Sequence, residues 1–96
     1  MIRHTVTFKF KTTVNPAAVK DFFIAAKKLA TINGVQNFEC LKQVSTKNIF
    51  EYGLSMEFAD NELYQQYNNN PYHVSFVQQY WLNAVEDFLE IDYMVI

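Results

Sequence analysis

Residues 2 to 11 read Ile-Arg-His-Thr-Val-Thr-Phe-Lys-Phe-Lys, a strict alternation that only a β-strand can turn into two chemically distinct faces. Ile2, His4, Val6, Phe8 and Phe10 fall on one face, and Arg3, Thr5, Thr7, Lys9 and Lys11 on the other. Such a strand must be covered on its apolar side by a second layer. It also carries one imidazole, His4, into that layer. The only other histidine of the chain is His73.

The remaining segments supply the cover. Asn15-Pro16 is a helix cap followed by proline at the first helical position, and Val19, Phe22, Phe23, Ala26, Leu29 and Ala30 recur at helical spacing up to Gly34. A second strand is expected over about 35–44, with Phe38, Cys40 and Val44 on one side. A third is expected over about 49–59, with Tyr52, Leu54, Met56 and Phe58 inward and Glu51, Gly53, Ser55 and Glu57 outward. Asp60 caps a second helix whose face is Leu63, Tyr64 and Tyr67. The run Asn68-Asn69-Asn70-Pro71 stops that helix, because proline disfavours helical geometry in the residue before it. A third helix restarts with Asn70 as its cap, placing His73 in its first turn and Phe76, Val77, Tyr80, Trp81 and Ala84 along the same stripe. The last strand is expected over about 87–96, with Leu89, Ile91, Tyr93 and Val95 on one face.

The order strand, helix, strand, strand, helix, strand predicts an α+β, ferredoxin-like split βαβ fold, with a four-stranded antiparallel sheet and helices on one face only. Residues 1–96 form one domain on this reading, since no linker or repeat interrupts them. In that arrangement His4, Tyr67 and His73 all point into the layer between sheet and helices.

Composition narrows the functional classes. The formal net charge is −2 and the only adjacent cations are Lys27 and Lys28, so the basic face that meets nucleic-acid phosphates or an anionic membrane is missing. The longest apolar run is too short to cross a bilayer. Cys40 has no second cysteine to pair with, and no secretory leader pattern precedes the first strand, so a cytoplasmic location is expected.

The segments His4-Thr-Val-Thr-Phe-Lys-Phe-Lys, Leu54-Ser-Met-Glu-Phe58, Tyr67-Asn-Asn-Asn-Pro-Tyr-His73-Val-Ser-Phe76 and Asp92-Tyr93 together resemble the stress-responsive A/B barrel domain (Dabb) family, from end to end of the chain. The opening histidine strand and the stretch from Tyr67 to His73 are the most specific parts. The resemblance implies a protomer that forms a homodimer through its sheet, giving a dimeric α+β barrel, and a cavity between sheet and helices. Related barrels include cofactor-free cyclases and monooxygenases. In the branch that cyclises linear polyketides, the histidine and tyrosine that move protons correspond to His73 and Tyr67, and the strand histidine to His4. Two positions depart from that branch: Ala26 stands where its first helix has a pocket tyrosine, and Asn70 where the family often has a histidine before the proline.

The chemistry available to these side chains can be stated without the resemblance. A neutral imidazole is a base suited to removing a proton next to a carbonyl near neutral pH. His73, buried and in a helix's first turn, is expected to be neutral. Tyr67 can donate a hydrogen bond to a developing enolate oxygen, and His4 can orient His73 or bind substrate. Aldol or Claisen-type cyclisation of a small, largely apolar keto compound requires no cofactor. Two imidazoles without a third inward donor specify a metal poorly, so no metal is expected either. The plain alternative for these side chains is that they are satisfied core residues, with Phe76, Tyr80 and Trp81 serving as packing; the second functional reading is a non-catalytic, stress-associated small-molecule-binding module. A monooxygenase of the same barrel superfamily is the third reading.

On the dimer, the second sheet face is expected to be polar. It is read as Arg3, Thr5, Thr7, Lys9, Glu39, Gln43, Glu51, Ser55 and Glu57 with Leu41 and Met94 as its few apolar residues, so that Tyr93 to Ile96 would contribute at the rim.

Overall fold

The computed structural model describes residues 1–96. Four strands, β1 (Ile2–Phe10), β2 (Gln36–Lys42), β3 (Tyr52–Phe58) and β4 (Val85–Tyr93), form one sheet in the order β2-β3-β1-β4. All neighbouring pairs are antiparallel. Helix α1 (Pro16–Lys27, tightening into a 3₁₀ turn over Lys28–Thr31) connects β1 to β2. Between β3 and β4 lie α2 (Asn61–Asn69) and α3, which is α-helical over Pro71–Phe76, widens to a π-helical turn over Val77–Trp81 and closes with Leu82–Ala84. This is the ferredoxin-like arrangement predicted from the order of the elements.

The helix starts follow from local chemistry. Asn15 accepts the Ala18 amide at 2.8 Å and Asp60 the Leu63 amide at 2.9 Å, each satisfying one of the donors a helix leaves free at its amino end. Gly34 ends the α1 segment at φ +91°, a conformation that L side chains rarely adopt. Phe8, Phe22, Leu29, Met56, Phe58 and Tyr67 are almost wholly buried where helices and sheet meet. The alternation of β1 is observed as read: His4, Val6, Phe8 and Phe10 are buried and the residues between them are more open.

Three expectations are corrected. Val44 lies beyond β2, which ends at Lys42, and is 92 % exposed. The third helix is not uniform, because its π-helical turn departs from the regular spacing. The largest change concerns β4. That strand runs Val85–Tyr93, and its register with β1 pairs His4 with Asp92, Val6 with Glu90 and Phe8 with Phe88. Opposite residues in a sheet share a face, so Phe88, Glu90 and Asp92 turn toward the helices. Leu89, Ile91 and Tyr93, paired with Thr7, Thr5 and Arg3, turn to the other side. An irregularity between Lys9 and Phe10 brings the buried Val85, rather than Glu86, opposite Phe10.

The uncovered sheet face is therefore polar, as expected, across β1 and β3 but apolar along β4. Leu89, Ile91 and Tyr93 are 50 %, 38 % and 52 % exposed there along one edge of the sheet, and Leu41 is exposed on the opposite edge strand. Arg3 and Glu57 pair at 3.2 Å on the same face.

Candidate functional site

His4 projects from the middle of the sheet under α2. Its Nδ1 lies 2.6 Å from Asp92 Oδ1 and 2.9 Å from the Tyr64 hydroxyl. The Tyr64 hydroxyl itself donates to Asp92 Oδ2 at 2.8 Å. A carboxylate only accepts, and a phenol whose proton is already committed accepts at its oxygen, so Nδ1 carries the His4 proton. His4 is 5 % exposed, and every buried side-chain nitrogen or oxygen has a partner. Nε2, which makes no hydrogen bond within the chain, consequently opens onto the cavity described below.

His73 is held by a different device with the same result. Asn70 accepts the Tyr72 amide at 2.8 Å and Pro71 occupies the first helical position, which fixes the start of α3. In that first turn His73 Nδ1 donates to the Asn68 carbonyl at 3.1 Å, one of the carbonyls left over at the end of α2. Nε2 is left with a lone pair. Burial pushes the His73 pKa below the ordinary imidazole value and the nearby His4 adds to this, while the Asn68 carbonyl and Glu90 oppose it. The neutral imidazole expected from the sequence is the form that this environment favours.

Tyr67 sits between the two imidazoles. Its ring centroid is 4.4 Å from that of His73 and 6.2 Å from that of His4. The side chain is 2 % exposed, yet its hydroxyl makes no hydrogen bond within the chain and is not among fully buried atoms, so it too reaches the cavity. Burial raises the pKa of this phenol well above its usual value, with the Tyr64 and Glu90 charges adding to the effect. It is a proton-bearing donor at neutral pH.

The three residues read from the sequence, His4, Tyr67 and His73, all border one cavity of about 240 Å³. That lies below the ~300 Å³ lower end of typical ligand pockets, so a small ligand fits it. The rest of the wall is mainly apolar, including Met56, Phe76, Trp81 and Phe88, with Glu90 at one side. Phe76 and Trp81, read as packing, therefore do double duty: the Trp81 ring meets Phe8 at a tilt and Phe88 edge-on, with centroids 5.0 Å and 5.5 Å apart, while lining the cavity. No three His, Cys, Asp or Glu side chains converge closely enough to hold a metal ion.

Sequence reasoning missed Tyr64 and Glu90 as site residues and gave Asp92 no role. Tyr64 precedes Tyr67 by three residues, a spacing that puts both on one helix face, and that signal was readable. Glu90 and Asp92 depended on the inward parity of β4.

The family model described as the stress responsive A/B barrel domain matches residues 2–95. Among solved structures, the chain is similar to a Dabb family protein with a ferredoxin-like fold from Mesorhizobium loti, at 48 % identity and a TM-score of 0.94, over 99 % of this chain and 96 % of that one. It also resembles a dimeric ferredoxin-like protein from Thermobifida fusca, at 19 % identity and TM-score 0.84, over 98 % and 90 %. A third is the hydroxynitrile lyase from Passiflora edulis, at 12 % identity and TM-score 0.89, over 99 % and 93 %. The last two likenesses are of fold alone. No curated protein matches the chain.

Proposed function

The chain belongs to the stress responsive A/B barrel domain family, and we propose that it is a cofactor-independent lyase or cyclase acting on a small, largely apolar keto compound held between sheet and helices. The observation that carries this reading is the convergence of a free imidazole lone pair, His73 Nε2, and an unengaged phenol, Tyr67, on one small apolar cavity. One solved structure of this fold is a hydroxynitrile lyase, so a lyase site can be built on the scaffold.

In the proposed step His73 Nε2 takes a proton from the carbon next to the ligand's carbonyl. The C–H electron pair moves into the carbon–carbon bond, and the carbonyl π pair moves onto oxygen as an enolate. Tyr67 donates its O–H to that oxygen, where charge develops. In a cyclisation the enolate carbon then attacks a second carbonyl of the same molecule, and the imidazolium returns its proton to the new alkoxide. His4 lines the same cavity and binds the ligand or orients its carbonyl.

The protein works as a homodimer in this proposal, its partner covering the sheet face that carries Leu41, Leu89, Ile91 and Tyr93. The exposed apolar row of Leu89, Ile91 and Tyr93 on that face is a usual kind of association surface, and a structural neighbour is dimeric. Cytoplasmic residence belongs to the same proposal. A non-catalytic binding module is the second reading, favoured by the small apolar cavity itself.

Exchange of ligand α-protons into deuterated water separates the two. Added to acetylacetone, the wild-type protein is expected to accelerate exchange followed by NMR, while His73→Ala at equal concentration does not. Binding of the diketone without accelerated exchange would leave the binding module as the better account.

A further inference from the structure

One group on the cavity wall takes no part in that proton chemistry. Glu90 faces the cavity because Val6, its partner on β1, faces it. The other acidic residues whose side chains are paired on β4 have clear structural roles: Glu86 meets Lys9 at 2.8 Å and Asp92 meets His4. Glu90 has neither an ion pair nor a hydrogen bond, although it stands on the wall of an otherwise mainly apolar pocket.

We propose that Glu90 sets the ligand class of this pocket: its carboxylate receives a hydroxyl or ammonium group of the ligand and excludes ligands that carry a carboxylate. This rests on the reading of the cavity as a ligand site. No Lys or Arg lines the cavity, so nothing there would neutralise an anionic ligand. The two imidazoles already engage Nδ1 elsewhere and present Nε2. Asp92 behind His4 adds a second negative group on the same side of the sheet. A ligand carboxylate entering this space would meet like charge without a compensating cation, whereas an O–H or N–H donor would find an acceptor with free lone pairs. Glu90 itself is solvent-exposed at the rim of these apolar walls, so water moderates that contrast. The ligand class that follows is a small aryl or alkyl ketone with a hydroxyl or amino substituent, and not a keto acid.

The test uses three ketones of matched shape: acetophenone, 4-hydroxyacetophenone and 4-acetylbenzoate. Trp81 is the only tryptophan of the chain and lines the cavity, so its indole N–H resonance reports binding. The wild-type protein should bind 4-hydroxyacetophenone at least tenfold more tightly than 4-acetylbenzoate, with acetophenone between them. Glu90→Gln keeps the side chain's shape and an acceptor oxygen, and Glu90 is exposed on an edge strand, so the variant should fold. It should narrow that ratio by about tenfold, mainly by gaining affinity for the acetylbenzoate. Equal affinities in the wild type, or a ratio unchanged by the substitution, would overturn the role of Glu90 while leaving the pocket reading intact. No Trp81 response to any of the three ketones would overturn the pocket reading and this inference together.

Discussion

His4 Nδ1 lies 2.6 Å from Asp92 Oδ1, and the two residues are direct partners in the antiparallel register of β1 and β4. A contact between cross-strand partners is built into the sheet, so the orientation of the imidazole is set by strand pairing and does not depend on a mobile loop. Tyr64 closes a triangle by touching both groups from α2. Asp92 and Tyr64 are positioning residues, since each acts on the cavity through His4.

The triangle gives redundancy that mutation should expose. Asp92→Ala leaves the Tyr64 oxygen to accept from Nδ1, and Tyr64→Phe leaves the carboxylate, so each single change is expected to cost about 1 kcal/mol. With both removed, the donor on a nearly buried imidazole has no partner, and the cost should exceed the sum of the singles by at least about 1 kcal/mol. Urea midpoints of the four proteins measure this. Additive losses would mean that the three groups are not coupled.

Tyr67→Phe separates catalysis from packing. The hydroxyl holds nothing within the protein, so its removal should change stability by less than about 1 kcal/mol. Loss of a donor at a developing oxyanion typically lowers turnover by about 10²–10³-fold. The expected result is a nearly unchanged thermal midpoint with α-proton exchange lost. A variant that exchanges protons at the wild-type rate would remove Tyr67 from the mechanism.

The outer sheet face makes a prediction about assembly. Leu89→Lys with Ile91→Lys places two charges where apolar side chains are already solvent-exposed in the protomer, so the protomer should remain folded. Its partner surface would have to bury both ammonium groups, which is costly unless they are paired. Sedimentation should show the wild type at twice the protomer mass and the double variant at the protomer mass. A wild-type protein that sediments as a monomer would sink the dimer.

What the sequence made legible, and what it hid, follows from where each face looks. On β1 one parity is apolar and the other polar, so the alternation read true. On β4 three apolar residues, Leu89, Ile91 and Tyr93, share one parity against Phe88 alone on the other, and counting apolar side chains selects the wrong face. The inward parity is polar because Asp92 meets an imidazole and Glu90 meets a cavity, while the outward parity is apolar on a face the protomer leaves uncovered. A one-residue change of parity exchanges both faces, and with it went the recognition of Glu90 and of Asp92's contact with His4. His4, Tyr67 and His73 were legible because each lies on an element whose own pattern is one-sided. The π-helical turn in α3 had no sequence signal, since Val77 to Trp81 carries neither proline nor glycine.

His73 also ties stability to pH, with a sign that can be worked out. Its folded pKa lies below the ordinary imidazole value of 6.5, chiefly because burial penalises the charged ring. Between the folded pKa and 6.5 the unfolded chain binds a proton that the folded protein does not, so stability rises with pH across that window. The contribution is fully present above pH 6.5 and is lost as pH falls toward the folded value. His73→Gln removes the titrating group, and its stability should vary less than that of the wild type between pH 6.5 and 5. Paired urea titrations across this range give the difference directly, with other titrating groups common to both proteins. A difference that is flat with pH, or that grows in the wild type's favour on acidification, would show that His73 is not held neutral by its surroundings, and would take with it the base that the proposed chemistry requires.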